Sequence, residues 1–377
     1  MLLTMTEPEL AGLDVSEERF TTHLAYNSGR FFPELDSSAS TVRIVHHFRR
    51  HHSQLLELEV SDGVHSRRVI YKVPFSLKHP DTNDFESTSR PRLFAENTPV
   101  TSGLLEFRAL ESVEHHFRAL HDARFGVITM LELMERPYVV VMEKSPDRDL
   151  KSMLKRATRF HRSFNSSSLR DAFANTGAWL REFHTLPDLS YTASRHEHRD
   201  CFMDAARSFI DGLIQQLGQH SYFERLCHQL LTAARKHLPE QLPCAVVHGD
   251  FAPRNILVAN DSRVTVFDTR RRWKAPLYED LAYFLMSLKA PGPQVRSQGT
   301  VFSAAQLAGW ESAFLGGYFQ GSEDSYKPVR IYECLLTLEW WAAINFRQSQ
   351  SSIRKKIELA LSNRYLSRYV SQLIAEI

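Results

Sequence analysis

The residues best placed to do chemistry lie in one stretch, VVHGDFAPRNILVANDSRVTVFD over 246–268, and they are Asp250, Asn255 and Asp268. An apolar run delivers Asp250 directly after His248 and Gly249, and Asn255 follows five residues later with Pro253 between them. Proline interrupts a strand ladder, so 250–255 reads as a loop. Beyond it, 256–259 and 263–267 are short runs rich in branched residues, separated by Asn260, Asp261 and Ser262, which predicts a hairpin. A hairpin brings its second strand back to where the first began, so Asp268 is expected beside Asn255, with Asp250 one loop away. An amide and a carboxylate make an oxygen donor set that suits a hard cation such as Mg2+, whose other positions are filled by water and phosphate oxygens. A further carboxylate just outside that pair can accept the proton of an attacking hydroxyl. These are the parts that phosphoryl transfer requires, because there the protein mainly positions groups and neutralises charge.

The elements that must position these residues can be followed along the chain. Residues 1–40 are interrupted by Pro8, Pro33 and a serine cluster at 37–40, leaving one short helix around 16–26. From Thr41, TVRIVHHF, QLLELEV and SRRVIYKVPF alternate or run in branched residues and predict three successive antiparallel strands, with Ser61, Asp62 and Gly63 turning between the last two. Polar 80–101 reads as a long loop before a helix over 104–120, in which Leu105, Ala109, Val113 and Phe117 mark one packed side. FGVITMLELM and YVVVMEK, on either side of a turn at Glu135, Arg136 and Pro137, predict two more strands. The chain leaves them through Glu143, Lys144, Ser145 and Pro146, and Asp147 is placed to cap the next helix. Apolar spacings of three and four then predict helices over 148–159, 169–184, 198–217 and 222–237. Beyond the catalytic stretch they predict further helices from 276–282 and around 304–319, 328–347 and 353–374. The expected organisation is an extension over 1–40, a sheet lobe over 41–143 and a helical lobe over 144–377 that carries the catalytic loop and the acceptor site.

The stretch with Asp250, Asn255 and Asp268 resembles the aminoglycoside phosphotransferase and choline kinase branch of the protein-kinase-like fold, whose catalytic loop reads H-G-D-x-x-x-x-N and whose metal-binding Asp ends the following hairpin. The resemblance spans about 42–284 and is strongest at the catalytic segment. It implies an α+β, two-lobed protein-kinase-like fold, with a small five-stranded antiparallel N-lobe carrying one helix and a larger helical C-lobe, and the active site between them. It also implies an ATP- and Mg2+-dependent kinase that moves the γ-phosphate to a hydroxyl of a small molecule. Asp250 is then the base, and Asn255 and Asp268 hold Mg2+. Lys72, in VIYKVP, takes the place of the strand lysine that reaches the nucleotide phosphates. Glu106, in EFRAL, takes that of its helix partner, with Glu111 and Glu114 as competitors. Backbone groups around Glu143 and Ser145 receive the adenine, and Asp280, with His248 in the H-G-D motif, supports the catalytic loop.

This sequence departs from the family pattern at several points. No G-x-G-x-x-G joins the first strands, where HFRRHHSQ stands instead. The loop carries Ala252 and Arg254 where relatives often have His and Gly, and Asp268 is followed by Arg270, Arg271, Arg272 and Lys274. Cations here could wall an acceptor site, with Arg254, Arg270 and Arg272 favouring an anionic or sugar acceptor, or they could stand in a solvated loop. Two other function classes are open, a non-catalytic nucleotide-binding module (pseudokinase) and a protein kinase; every metal and base position speaks against the first, and the long helical segment 148–244 against the second.

Composition sets the outer bounds. A chain of 377 residues with 43% apolar content has enough material for two lobes. Lys+Arg 46 against Asp+Glu 44 gives a formal charge of +2, so no overall field calls for nucleic acid as a partner. The four cysteines have no C-x-x-C spacing and suggest neither a zinc site nor a disulfide framework. The N-terminus lacks a secretory pattern, and no stretch approaches the roughly 18 apolar residues of a membrane helix, so a cytoplasmic protein without a transmembrane segment is expected.

Overall fold

The computed structural model describes residues 16–49, 53–74, 102–135, 138–160, 166–321, 326–346 and 353–377. The expected loop at 80–101, the basic connection at 50–52 and the turn residues 136–137 lie outside the described residues. The described chain forms two compact units. The first takes the described parts of Met1–Asn83, Glu96–Asp147 and Thr265–Arg270, and the second those of Arg148–Val264 and Arg271–Ile377.

The first unit is built on a five-stranded antiparallel sheet of β1 (Thr41–Arg49), β2 (Ser53–Ser61), β3 (Ser66–Pro74), β4 (Met130–Met134) and β5 (Val139–Glu143), in the order β1-β2-β3-β5-β4. Strand alternation puts Leu56, Leu58 and Val60 of β2 and Val69, Tyr71 and Val73 of β3 in one core. Phe20 and Leu24 of helix α1 (Glu17–Phe31) complete that core with Phe32 and Leu35. The N-terminal helix expected from sequence thus closes one face of the sheet, and Ser16 caps it by accepting the Arg19 N–H. Lys72, between Tyr71 and Val73, projects to the opposite face. Helix α2 (Ser102–Leu120) buries Ala109, Val113 and Phe117 along the predicted packed side, together with Glu106.

The second unit is mainly helical: α3 (Leu150–Phe160), α4 (Ser166–Phe183), α5 (Arg199–Leu217), α6 (His220–His237), α7 (Tyr278–Lys289), the short α8 (Gly292–Arg296), α9 (Ala304–Phe319), α10 (Tyr326–Phe346) and α11 (Ile353–Glu376). The cap of α3 is Asp149, which accepts the Ser152 N–H at 2.8 Å, and not Asp147. The reason is β6 (Arg148–Asp149), which pairs with β9 (Ile256–Val258) and delays the helix start by one extended step. A second small ladder sets β11 (Trp273–Pro276) between β8 (Cys244–Val247) and β7 (Ala193–Ser194). These short strands join segments distant in sequence. Among the described residues no helix is long and apolar enough to cross a membrane.

Helices α4 and α9 touch backbone to backbone. A Cβ at Gly177 would stand 1.9 Å from the Phe314 carbonyl oxygen, and one at Gly317 would stand 2.0 Å from that of Ala174. Neither obstacle is a movable side chain, so both helices would have to separate. Gly177→Ala is expected to destabilise the chain by about 1–3 kcal/mol, the range for overpacking a close contact. Thermal unfolding checks this, and an unchanged Tm would contradict the contact.

Candidate active site

The loop after β8 is held by one buried carboxylate. Asp280, 1% exposed in the first turn of α7, accepts the His248 N–H at 2.6 Å on one oxygen and the Gly249 N–H at 3.0 Å on the other. Two consecutive N–H groups can converge on one carboxylate because Gly249 has a φ of +80°, a region that disfavours side chains. The β8–β11 ladder and the Leu277 N–H to Pro243 carbonyl bond bring α7 back beside the loop. Asp280 is in turn fixed by His184, whose Nε2 is 3.2 Å from the same carboxylate and whose Nδ1 is 2.7 Å from the Tyr318 hydroxyl. A carboxylate only accepts, so Nε2 carries a proton and, in the neutral ring, Tyr318 donates to Nδ1. Burial and the nearby Asp280 charge raise the Tyr318 pKa and keep it a donor. Burial works against the charged form of Asp280, but the hydrogen bond and charge of His184, with His248, outweigh it and leave its pKa lowered.

Asp250 itself is 5% exposed. Its N–H donates to His248 Nδ1 at 3.2 Å, while Asn255 Nδ2 donates both to its carbonyl at 2.8 Å and to Oδ2 at 3.0 Å. A 3-10 turn over Pro253–Asn255 brings the amide back to the carboxylate. Arg254 donates to Asp250 Oδ1 and to the Tyr283 hydroxyl at 3.2 Å. Phe251, fully buried, stacks on Trp179 and lies against Phe284 and Phe314, so the loop is anchored by an aromatic side chain next to the polar one. Beyond Asn255 the chain runs through β9 and turns, with Ala259 accepting the Ser262 N–H and donating to the Arg263 carbonyl. It returns as β10 (Val264–Val266) to Asp268.

In the first unit Lys72, Glu106 and Asp268 come together. Lys72 Nζ is 2.6 Å from Glu106 Oε1 and 2.8 Å from Asp268 Oδ1. Glu106 is 2% exposed, and of the three competing glutamates it is the one that meets Lys72; Glu114 pairs with Arg118. Burial disfavours the ammonium, but Asp268 and then Glu106 outweigh it and raise the Lys72 pKa. Burial pushes Glu106 upward, with Lys72 offsetting part of the effect. Asp268 has a φ of +67°, a backbone region uncommon outside glycine. At the end of β5 the Glu143 N–H donates to Thr129, the Lys144 N–H donates to Arg68, and Ser145 Oγ accepts the Asp147 N–H. Glu57, 2% exposed on β2, ties this segment to the sheet through Lys144 at 2.6 Å and Arg68 at 3.1 Å.

The arginine run divides its work. Arg270 belongs to the first unit and adds positive charge near Glu106. Arg271 is 1% exposed and donates to the Pro187 carbonyl, and its own carbonyl accepts from Thr192. Arg272 lies 5.0 Å over the Trp273 ring, and Lys274 faces Asp188 at 3.4 Å. Sequence reading missed Arg271's burial, the Tyr283 partner of Arg254 and the anchoring Phe251. None of the three carries a local sequence signal.

The donor set fits Mg2+ chemically. Both hydrogen bonds of Asn255 named above run through Nδ2, which leaves the amide oxygen as a hard donor, and Asp268 offers a carboxylate that is one-third exposed. The two residues belong to different units.

A five-stranded antiparallel sheet with a charged strand lysine, joined to a helical unit with a carboxylate-anchored H-G-D loop, is the framework of a kinase-like phosphotransferase. A choline kinase from Cryptosporidium parvum is similar in fold, at 10% identity and a TM-score of 0.51 over 96% of each chain. A spectinomycin phosphotransferase solved with ADP and spectinomycin gives 0.49 at 9% identity over 97% of this chain and 100% of that one. An ethanolamine kinase from Plasmodium vivax gives 0.48 at 8% identity over 96% and 93%. A search of curated proteins finds no match. Residues 137–328, just over half of the chain, match the phosphotransferase enzyme family, and the chain belongs to that family. It is a phosphotransferase of the kinase class.

Asp280 gives this site a pH signature. Its folded pKa is below the ordinary carboxylate value, so its contribution to stability is full above about pH 5 and is lost as pH falls through the folded pKa. In Asp280→Asn one N–H of the loop faces an amide NH2, at a cost of about 1–3 kcal/mol near neutrality. Denaturant unfolding should show that cost shrinking as pH is lowered from about 5 toward the acid limit; a constant difference across that range would contradict the assignment.

Proposed function

We propose that this phosphotransferase moves the γ-phosphate of ATP, with Mg2+, to a hydroxyl of a small molecule. The observation that carries the reading is Lys72, an ammonium held charged between the buried Glu106 and the partly exposed Asp268. A cation fixed in this way orients the donor phosphates. Backbone groups around Glu143 and Ser145 receive the base. Asn255 and Asp268 would hold Mg2+, which when bound neutralises charge on the phosphates. Asp250 accepts the proton of the acceptor hydroxyl while the hydroxyl oxygen bonds to the γ-phosphorus. The bond from phosphorus to the bridging oxygen breaks, and the electron pair leaves with ADP. His248 and Asp280 keep the loop in shape around Asp250. Arg254, bonded to the base, is the substrate-side cation closest to the chemistry, with Arg270 and Arg272 as further positive charge.

Asp250→Asn is expected to lower kcat by about 10²–10⁴-fold, the usual contribution of a general base, while leaving ATP affinity close to wild type. ATP consumption against acceptors grouped by charge, with nucleotide binding measured on the same sample, checks both halves. Normal turnover by the variant would refute the role of Asp250. Lys72→Met should lower kcat/KM for ATP by at least about tenfold, and an unchanged value would remove the observation on which the reading rests.

A further inference from the structure

The second unit contains a cavity of about 840 Å³ that opens beside the catalytic loop. Its wall carries five cations, Lys151, Lys155, Arg156, Arg254 and Arg296, and neither Asp nor Glu is among its described lining residues. These charges come from three separate parts of the chain. Lys151 and Lys155 are one turn apart on α3 with Arg156 beside them, Arg254 belongs to the loop, and Arg296 ends α8. The chain as a whole is nearly balanced at 46 basic and 44 acidic residues, whereas the charged side chains lining this wall are basic, with Arg254 also paired to Asp250. Much of the remaining lining is apolar, including Leu154, Met286, Phe302 and Trp340.

Like charges grouped around a concave, partly apolar surface raise the local potential, which favours an anion over a polycation. An apolar wall in the same cavity favours a ligand that buries hydrocarbon or an aromatic face. Arg254 connects the two functions, because it lines the cavity and bonds Asp250. A molecule seated there would have its anionic group among the cations and would adjoin Arg254, the partner of Asp250.

We infer that the cavity is the acceptor site and that the acceptor is an amphiphilic anion, a hydroxyl compound bearing a phosphate, sulfate or carboxylate group next to an apolar portion. This rests on the phosphotransferase reading above for the word acceptor. The preference for an amphiphilic anion rests on the cavity wall alone.

The test uses the full chain with saturating ADP and Mg2+, so that the nucleotide site is filled, and three probes that differ in charge: phenyl phosphate, phenol and phenyltrimethylammonium. Calorimetry should show phenyl phosphate binding at least about tenfold more tightly than the other two. The exposed pair in Lys151→Glu/Lys155→Glu should weaken it by at least about tenfold, and the milder Lys151→Gln/Lys155→Gln by less. Equal binding of the three probes, preference for the cation, absence of phenyl phosphate binding, or wild-type affinity in the charge-reversed variant would each overturn the inference. ADP binding measured first on the same sample separates the two readings. If ADP fails to bind, the donor assignment fails, while the charge series still decides what the cavity selects.

Discussion

The loop that carries Asp250 depends on the two-pronged acceptance of backbone N–H groups by Asp280. Burying a carboxylate is costly unless its oxygens are satisfied, and here the His248 and Gly249 N–H groups and the His184 ring do so. Hydrogen bonds to a charged acceptor are worth about 1.5–3 kcal/mol each, so the arrangement stabilises one loop conformation over its neighbours. That conformation presents Asp250 and lets Asn255 bond back to it. The restraint also continues inward, through His184 to Tyr318 on α9, a helix that packs on α4 through Gly177 and Gly317. A helix contact distant from the loop thereby helps hold Asp250 in place.

The first unit meets a different demand. Lys72 must stay charged although it is largely buried, and a single partner would leave it free to tilt. Glu106 fixes it from the helix and Asp268 from the returning hairpin strand, at 2.6 and 2.8 Å. The positive φ of Asp268 turns the chain sharply after β10, and the short connection to Arg271 carries it on to β11. The side chains after it make local contacts, so part of the basic run seen in the sequence is structural. Arg271 is the clearest case, being buried against a carbonyl.

Much of this was legible before any coordinates, and the reason is locality. The five strands declare themselves through alternation, the helices through apolar spacing, and the catalytic loop through Asp250, Pro253 and Asn255 standing within six residues. Lys72 and Glu106 could be assigned only by resemblance, because nothing in either residue's neighbourhood marks it. What stayed hidden depends on contacts between distant segments. The β8–β11 ladder pairs strands more than twenty residues apart; the α4–α9 approach rests on two glycines whose neighbours give no sign of it; and Asp149 displaces Asp147 as a cap because a two-residue strand pairs with β9. The cationic cavity was equally out of reach, since its five charges belong to three separate stretches and none of those stretches is unusually basic in a way that points to the others.

We propose that Asn255 and Asp268 would share one Mg2+ and that Lys72 orients the donor phosphates, with Asp250 as the base. A crystal structure of the full chain with Mg2+ and a non-hydrolysable ATP analogue tests it most directly. The expected result is the ion on the Asn255 amide oxygen and an Asp268 carboxylate oxygen, with Lys72 retaining Glu106 and reaching a phosphate. An ion bound without either residue, or a nucleotide whose phosphates lie away from Lys72, would contradict it.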